Sequence, residues 1–204
     1  MAVTLLCAGE MPEGEGVRLR ERLAELRAVH AADRQLLAQG DMAGTDVLAR
    51  NELVRELSKQ AHGVSVSGGV RPELAPALDA ALMDTALSEW RAAKEPRRLG
   101  LAMGRAIAYC LAMDMRFPDI AGVPDGMAFE LLRSLDAPIA LKGETGGVAV
   151  VTAEEEALSA EAVGVVARSA AMAQLCASAI SRAVTRPGGE LTAEAVWDAL
   201  GEGA

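Results

Sequence analysis

Residues 96–113 read PRRLGLAMGRAIAYCLAM, and the class of the whole chain turns on whether this stretch is a helix or a pair of strands. Pro96 suits the first turn of a helix, and Gly100, Gly104, Ala108 and Ala112 fall four residues apart. The spacing predicts a helix to about Met113 with a ridge of small side chains along one face. A face without bulk lets a neighbouring backbone approach closely, so this helix belongs at the centre of the fold or in an oligomer interface, with those four residues as its binding face. The same spacing occurs in membrane helices, but Arg97, Arg98 and Arg105 flank it here and favour a helix packed among others in water.

Upstream, Pro72 and Pro76 suit a first helical turn, and Leu78, Leu82, Leu87 and Trp90 mark a buried side running to Lys94. Before that, Leu19, Leu23, Leu26, Val29, Asp33, Leu36 and Leu37 recur at spacings of three and four from Gly16 to Gln39. A second helical pattern covers Thr45 to Ala61, and the break between them implies an antiparallel helical hairpin. Residues 2–8 and 64–67 are short strand candidates. Downstream, 138–151 carries the strongest hairpin signal, two apolar runs around KGETGG. Thr152 with Glu155 forms a capping box for a helix reaching about Arg182.

The fold class that follows is mostly α, a multi-helix bundle with an N-terminal αα-hairpin and a small β element near 2–8, 64–67 and 138–151. The 204 residues fit a single domain over 1–204, with a sub-division into 1–66 (helical hairpin and first strand) and 70–204 (helical core and β-hairpin).

Composition narrows the function classes. A formal charge of -9 opposes nucleic-acid binding, which needs a positive surface. The three cysteines sit in apolar surroundings and read as buried thiols of a reducing, cytoplasmic setting. Residues 162–180 have the length of a membrane span, but Arg168 and Gln174 fall inside it and its bulk is Ala and Ser; no membrane association follows.

Residues 7–21, CAGEMPEGEGVRLRE, have the outline of a strand, a glycine loop and a helix. Gly9 and Gly14 match the glycines of a phosphate-binding loop, yet Glu15 and Gly16 stand where lysine and a hydroxyl are required, and Glu10 and Glu13 would repel a polyphosphate. The loop is read as a solvated acidic turn before a helix whose positive end favours glutamate.

His30 and Asp33 lie on or beside the apolar face of the first long helix. Folding the hairpin about residue 42 brings Asp33 level with Asn51, and the group is either an acid–base pair or, more simply, a polar layer that sets hairpin register. No His or Cys falls at metal-ligand spacing, so no metal and no cofactor is implied. In the loop 114–126, Asp114, Arg116 and Asp119 could serve as base or magnesium ligand and as anion clamp, which makes them the catalytic candidates of an enzyme reading. Met103, Met113 and Met127 would line the pocket of a small-molecule sensor. The reading preferred over both is a non-enzymatic assembly or accessory subunit that self-associates or binds a protein partner.

Overall fold

In a computed structural model of the 204-residue chain, the described residues are 3–7, 14–39, 41–64, 72–93, 99–104, 106–110, 145–152 and 162–184. They form β1 (Val3–Cys7), α1 (Glu15–Ala38), α2 (Asp41–Arg50), α3 (Glu52–Gly63), α4 (Leu74–Ala93), β2 (Leu99–Met103), β3 (Ala106–Cys110), β4 (Thr145–Thr152), β5 (Ala162–Ala167) and α5 (Ala170–Val184). The strands make one antiparallel sheet in the order β1-β2-β3-β4-β5.

The helical-bundle expectation is therefore corrected: five strands form a single sheet against which the helices are layered. The decisive stretch 96–113 is not a helix. Its described part folds into the β2–β3 hairpin, with Met103 opposite Ala106 and Gly104 opening a two-residue turn at φ 61°. Positive φ at the first turn position is what the tight hairpin turns demand and what glycine supplies without strain. The four-residue spacing consequently marks no common face. Gly100 lies on β2 opposite Tyr109, Gly104 is the turn, Ala108 lies on β3 opposite Leu101, and Ala112 is outside the described residues.

Why the pattern misleads is visible in burial. All five residues of β2 are buried, as are Ala106, Ile107, Ala108 and Tyr109 of β3. Strands shielded on both faces show no alternation of apolar and polar residues, and alanine is a strong helix former, so neither period nor propensity signals a strand.

The second correction concerns 153–182, expected as one helix. Its described part holds strand β5 and then α5, which starts at Ala170. The Val-rich AVGVVA of β5 pairs in register with β4, Val148 facing Val166 and Val151 facing Val163. The hairpin expected over 138–151 is likewise revised: β4 pairs with β3 and β5, and 138–144 lie outside the described residues. Of the strand expected at 64–67, only Val64 is described, and it closes α3.

The first strand and the first helices agree with expectation more closely. β1 falls inside 2–8. The second helical pattern, however, is two helices, α2 and α3, divided at Asn51, whose extended backbone (φ -106°, ψ 109°) ends one and caps the next.

One side of the sheet carries α4 and α5. Leu99, Leu101, Met103, Ala106 and Ala108 meet α4 there, while Ala149, Val151, Val163 and Val165 meet Ala173 and Ala177 of α5. Helices α1, α2 and α3 form a further layer outside α4. The central helix of the fold is thus α4, with Ala77, Leu78, Ala80, Ala81, Leu82, Met83, Ala86 and Leu87 buried in its middle. On the opposite side of the sheet Leu6, Ala102, Ile107, Tyr109, Val148 and Val150 are buried as well.

Candidate functional site

Two groups of polar side chains are built into this frame. The first sits where α1 meets the corner between α2 and α3. Asn51 donates from Nδ2 to Asp33 Oδ2 at 2.6 Å and contacts His30 Nδ1 at 2.9 Å, while its Oδ1 accepts the Val54 backbone N–H at 3.2 Å. Arg50 donates to Asp33 Oδ1 from Nε at 3.1 Å and also from Nη2. These bonds, first from Asn51 and then from Arg50, hold the Asp33 carboxyl below the usual carboxylate range.

The pairing of Asp33 with Asn51 is the one the hairpin geometry predicts. Its arrangement is that of a register layer: Asn51 is buried, and each of its polar atoms is used in a cap or a tie between helices. As an acid–base pair the group is poorly built, because Asp33 is bonded to Asn51 and Arg50 and not to the imidazole.

The second group lies between α4 and α5. Asp84, in the middle of α4, accepts the backbone N–H of Ala170 at 3.0 Å and of Ala171 at 2.9 Å, so a side chain from one helix caps the start of the other. Ser169 completes the cap by accepting the Met172 N–H at 3.1 Å. The exchange is reciprocal. Ser178 of α5 accepts the Glu73 N–H at 3.2 Å just before α4 begins and donates to the Leu175 carbonyl at 3.1 Å. Burial raises the Asp84 carboxyl to about 6 against the opposing pull of the two N–H bonds.

Under this junction runs β4. A Cβ at Gly147 would overlap the backbone of Ser169 and Ala170, so the absence of a side chain is what lets α5 start where it does. At the neighbouring Gly146 a Cβ would come within 2.5 Å of the Tyr109 ring, which lies across that glycine from the paired position on β3. Burial raises the Tyr109 phenol above its ordinary range.

Neither Asp84 nor Ser178 stands out in the sequence, since both sit in alanine-rich helical runs and acquire their roles only across the α4–α5 contact. The same holds for the pairs that tie α1 to α4: Arg22 donates to both Glu89 oxygens at 2.7 and 3.0 Å, and Arg34 donates to Asp79 at 2.6 Å. The i, i+3 and i, i+4 rules that make charge pairs legible do not reach across 45 or 67 residues.

Of the other candidates, Asp114, Arg116 and Asp119 lie outside the described residues, as do Met113 and Met127. Met103 is buried in the core between sheet and helices. Cys176 is half-buried, and burial raises its thiol, the opposite of what activates a nucleophile. Among the described residues no group of three or more His, Cys, Asp or Glu side chains could hold a metal ion, and no helix is long and apolar enough to cross a membrane.

Comparison of the chain with protein-family models, with curated proteins and with solved structures finds no match.

Proposed function

We propose that this protein is a non-enzymatic interaction module, an assembly or accessory subunit that works through contacts with copies of itself or with a protein partner. The observation that carries this reading is the use to which polar side chains among the described residues are put. Asp84, Ser169 and Ser178 cap helices, Asn51 caps one helix and ties two, and Arg22, Arg34 and Arg50 join α1 to the elements around it. Groups spent on caps and ties are not positioned to act on a substrate, which requires convergent polar groups in a cleft.

The test is the mass of the native protein in solution, by light scattering, together with what co-purifies with it from its own cells. A multimer or a stoichiometric complex is expected. A 21.2 kDa monomer that brings no partner with it would overturn the reading.

A further inference from the structure

The chain has two histidines, and each bonds through Nδ1 to a group whose polarity leaves no choice. His62 Nδ1 lies 2.6 Å from the Ser58 carbonyl oxygen. A carbonyl only accepts, so Nδ1 of His62 carries a proton. His30 Nδ1 lies 2.9 Å from Asn51 Nδ2. The Asn51 amide cannot be turned around, because its Oδ1 accepts from the Val54 N–H and its Nδ2 donates to the Asp33 carboxylate. Nδ2 is therefore a donor, His30 Nδ1 is a bare lone pair, and the ring proton of the neutral form sits on Nε2. The two histidines are fixed in opposite tautomers.

Protonation then acts differently on the two. His62 already has its proton on Nδ1 and keeps its bond as an imidazolium, in the last turn of α3, where the negative helix end favours a cation. A proton added to His30 goes on Nδ1 and sets N–H against N–H. Asn51 could meet it with oxygen only by giving up the Val54 cap of α3.

We infer that His30 is a proton-operated latch between α1 and the α2–α3 corner: neutral, its ring accepts from Asn51; protonated, it releases Asn51 and turns to donate to Asp33. The charged groups around it make Asp33 the destination. On α1 itself, Asp33 is one turn away and is the anion, while Arg27 and Arg34 sit about a turn to either side, Arg34 engaged with Asp79. From α2 comes Arg50, bonded to Asp33; from α3 come neutral Asn51 and, a turn on, Arg55. Both side chains already bond the same atom, Asn51 Nδ2, His30 through Nδ1 at 2.9 Å and Asp33 through Oδ2 at 2.6 Å, which places them within reach of each other.

The test is a long-range proton–nitrogen correlation spectrum of the full-length, nitrogen-15-labelled protein followed from about pH 8 to about pH 5, across the range where histidine titrates. His62→Gln assigns the two rings by loss of one set of signals. At the alkaline end His30 is expected wholly as the Nε2–H tautomer and His62 wholly as Nδ1–H. On acidification the Asn51 side-chain amide signals should move in step with the His30 ring and not with His62. In His30→Gln the new side chain can accept from Asn51 through Oε1 without titrating, and the Asn51 signals should stay in place. A His30 ring with its proton on Nδ1, a mixture of tautomers, Asn51 signals that ignore His30, or the same movement in His30→Gln would each overturn the latch. If His30→Gln does not fold, the wild-type spectra decide alone.

Discussion

Asp84 and Ala170 are 86 residues apart in the chain and bonded in the fold, the Asp84 carboxylate taking the first backbone N–H of α5 at 3.0 Å and the next, from Ala171, at 2.9 Å. This contact fixes where α5 begins, because the helix start is held from α4 on one side and rests on the bare backbone of Gly147 on the other. Asp84→Ala removes both acceptors and leaves two partly buried donors unmet. At pH 5 the expected loss is about 1–3 kcal/mol, read from denaturant unfolding.

The same carboxyl makes stability depend on pH. Its value rises from 3.8 to about 6 on folding, so the folded protein holds this proton more tightly than the unfolded chain does. The stabilisation is complete below about pH 4 and is lost as pH rises through about 6, a total of about 3 kcal/mol at 1.36 kcal/mol per pKa unit. Asp84→Asn does not titrate. The unfolding free energy of wild type minus that of Asp84→Asn should therefore fall as pH rises across that window, and a constant difference would contradict the assignment.

Gly147 and Gly164 provide a matched pair on adjacent strands. Gly147→Ala would drive a methyl group into the backbone of Ser169 and Ala170, whereas a Cβ at Gly164 meets nothing within 4 Å. Overpacking against backbone cannot be relieved by a rotamer change, so Gly147→Ala should cost about 3 kcal/mol or prevent folding. Gly164→Ala should be neutral or slightly stabilising, through the lower entropy of the unfolded chain. Thermal unfolding of the two variants side by side checks the contrast.

Asn51 combines a helix cap with ties to Asp33 and His30. Asn51→Ala should lower stability by about 1–2 kcal/mol from the cap alone. Asn51→Ser restores a cap but cannot span to α1, so it should recover the helical signal of α3 while leaving the α1 corner less protected in hydrogen exchange at single-residue resolution.

Arg34 and Asp79 should respond unequally to removal of either partner. Asp79 is the more buried of the two, 14% against 41% side-chain exposure, and its Oδ1 has no hydrogen-bond partner. Arg34→Ala strands that carboxylate, at a cost of about 1–3 kcal/mol, while Asp79→Ala lets the arginine return to water at about 1 kcal/mol or less. Unfolding curves of the two single variants and the double variant should show the double close to Asp79→Ala.

Periodicity located α1, the helical region around Asn51 and α4 from the chain alone. α1 and α3 turn one side to the core, Leu19 and Leu23 in the first and Val54 and Leu57 in the second, and a spacing of three and four follows from that asymmetry. α4 is buried nearly all round its middle, and Leu78, Leu82 and Leu87 are the part of that burial its leucine spacing shows. The short strand β1 was legible from VTLLC for its β-branched and apolar content. Of the polar groups, Asp33 with Asn51 could be foreseen because a helical hairpin has few ways to align.

Only tertiary structure decided the rest. In β2 and β3 the residues of both faces are buried, so Leu99 to Met103 and Ala106 to Cys110 offer no polar–apolar alternation, and a run of alanines and glycines spaced by four imitates a helix. Their strand character comes from the neighbours that supply the ladder, β1 on one side and β4 on the other, which lie far away in sequence. The same distance hid Asp84, Ser178 and Gly147, since a cap lent by one helix to another and a glycine emptied to admit a helix start have no signature within their own segments. Local patterns record what a residue does for its own helix or strand; what it does for an element a hundred residues away appears only when the chain has brought the two together.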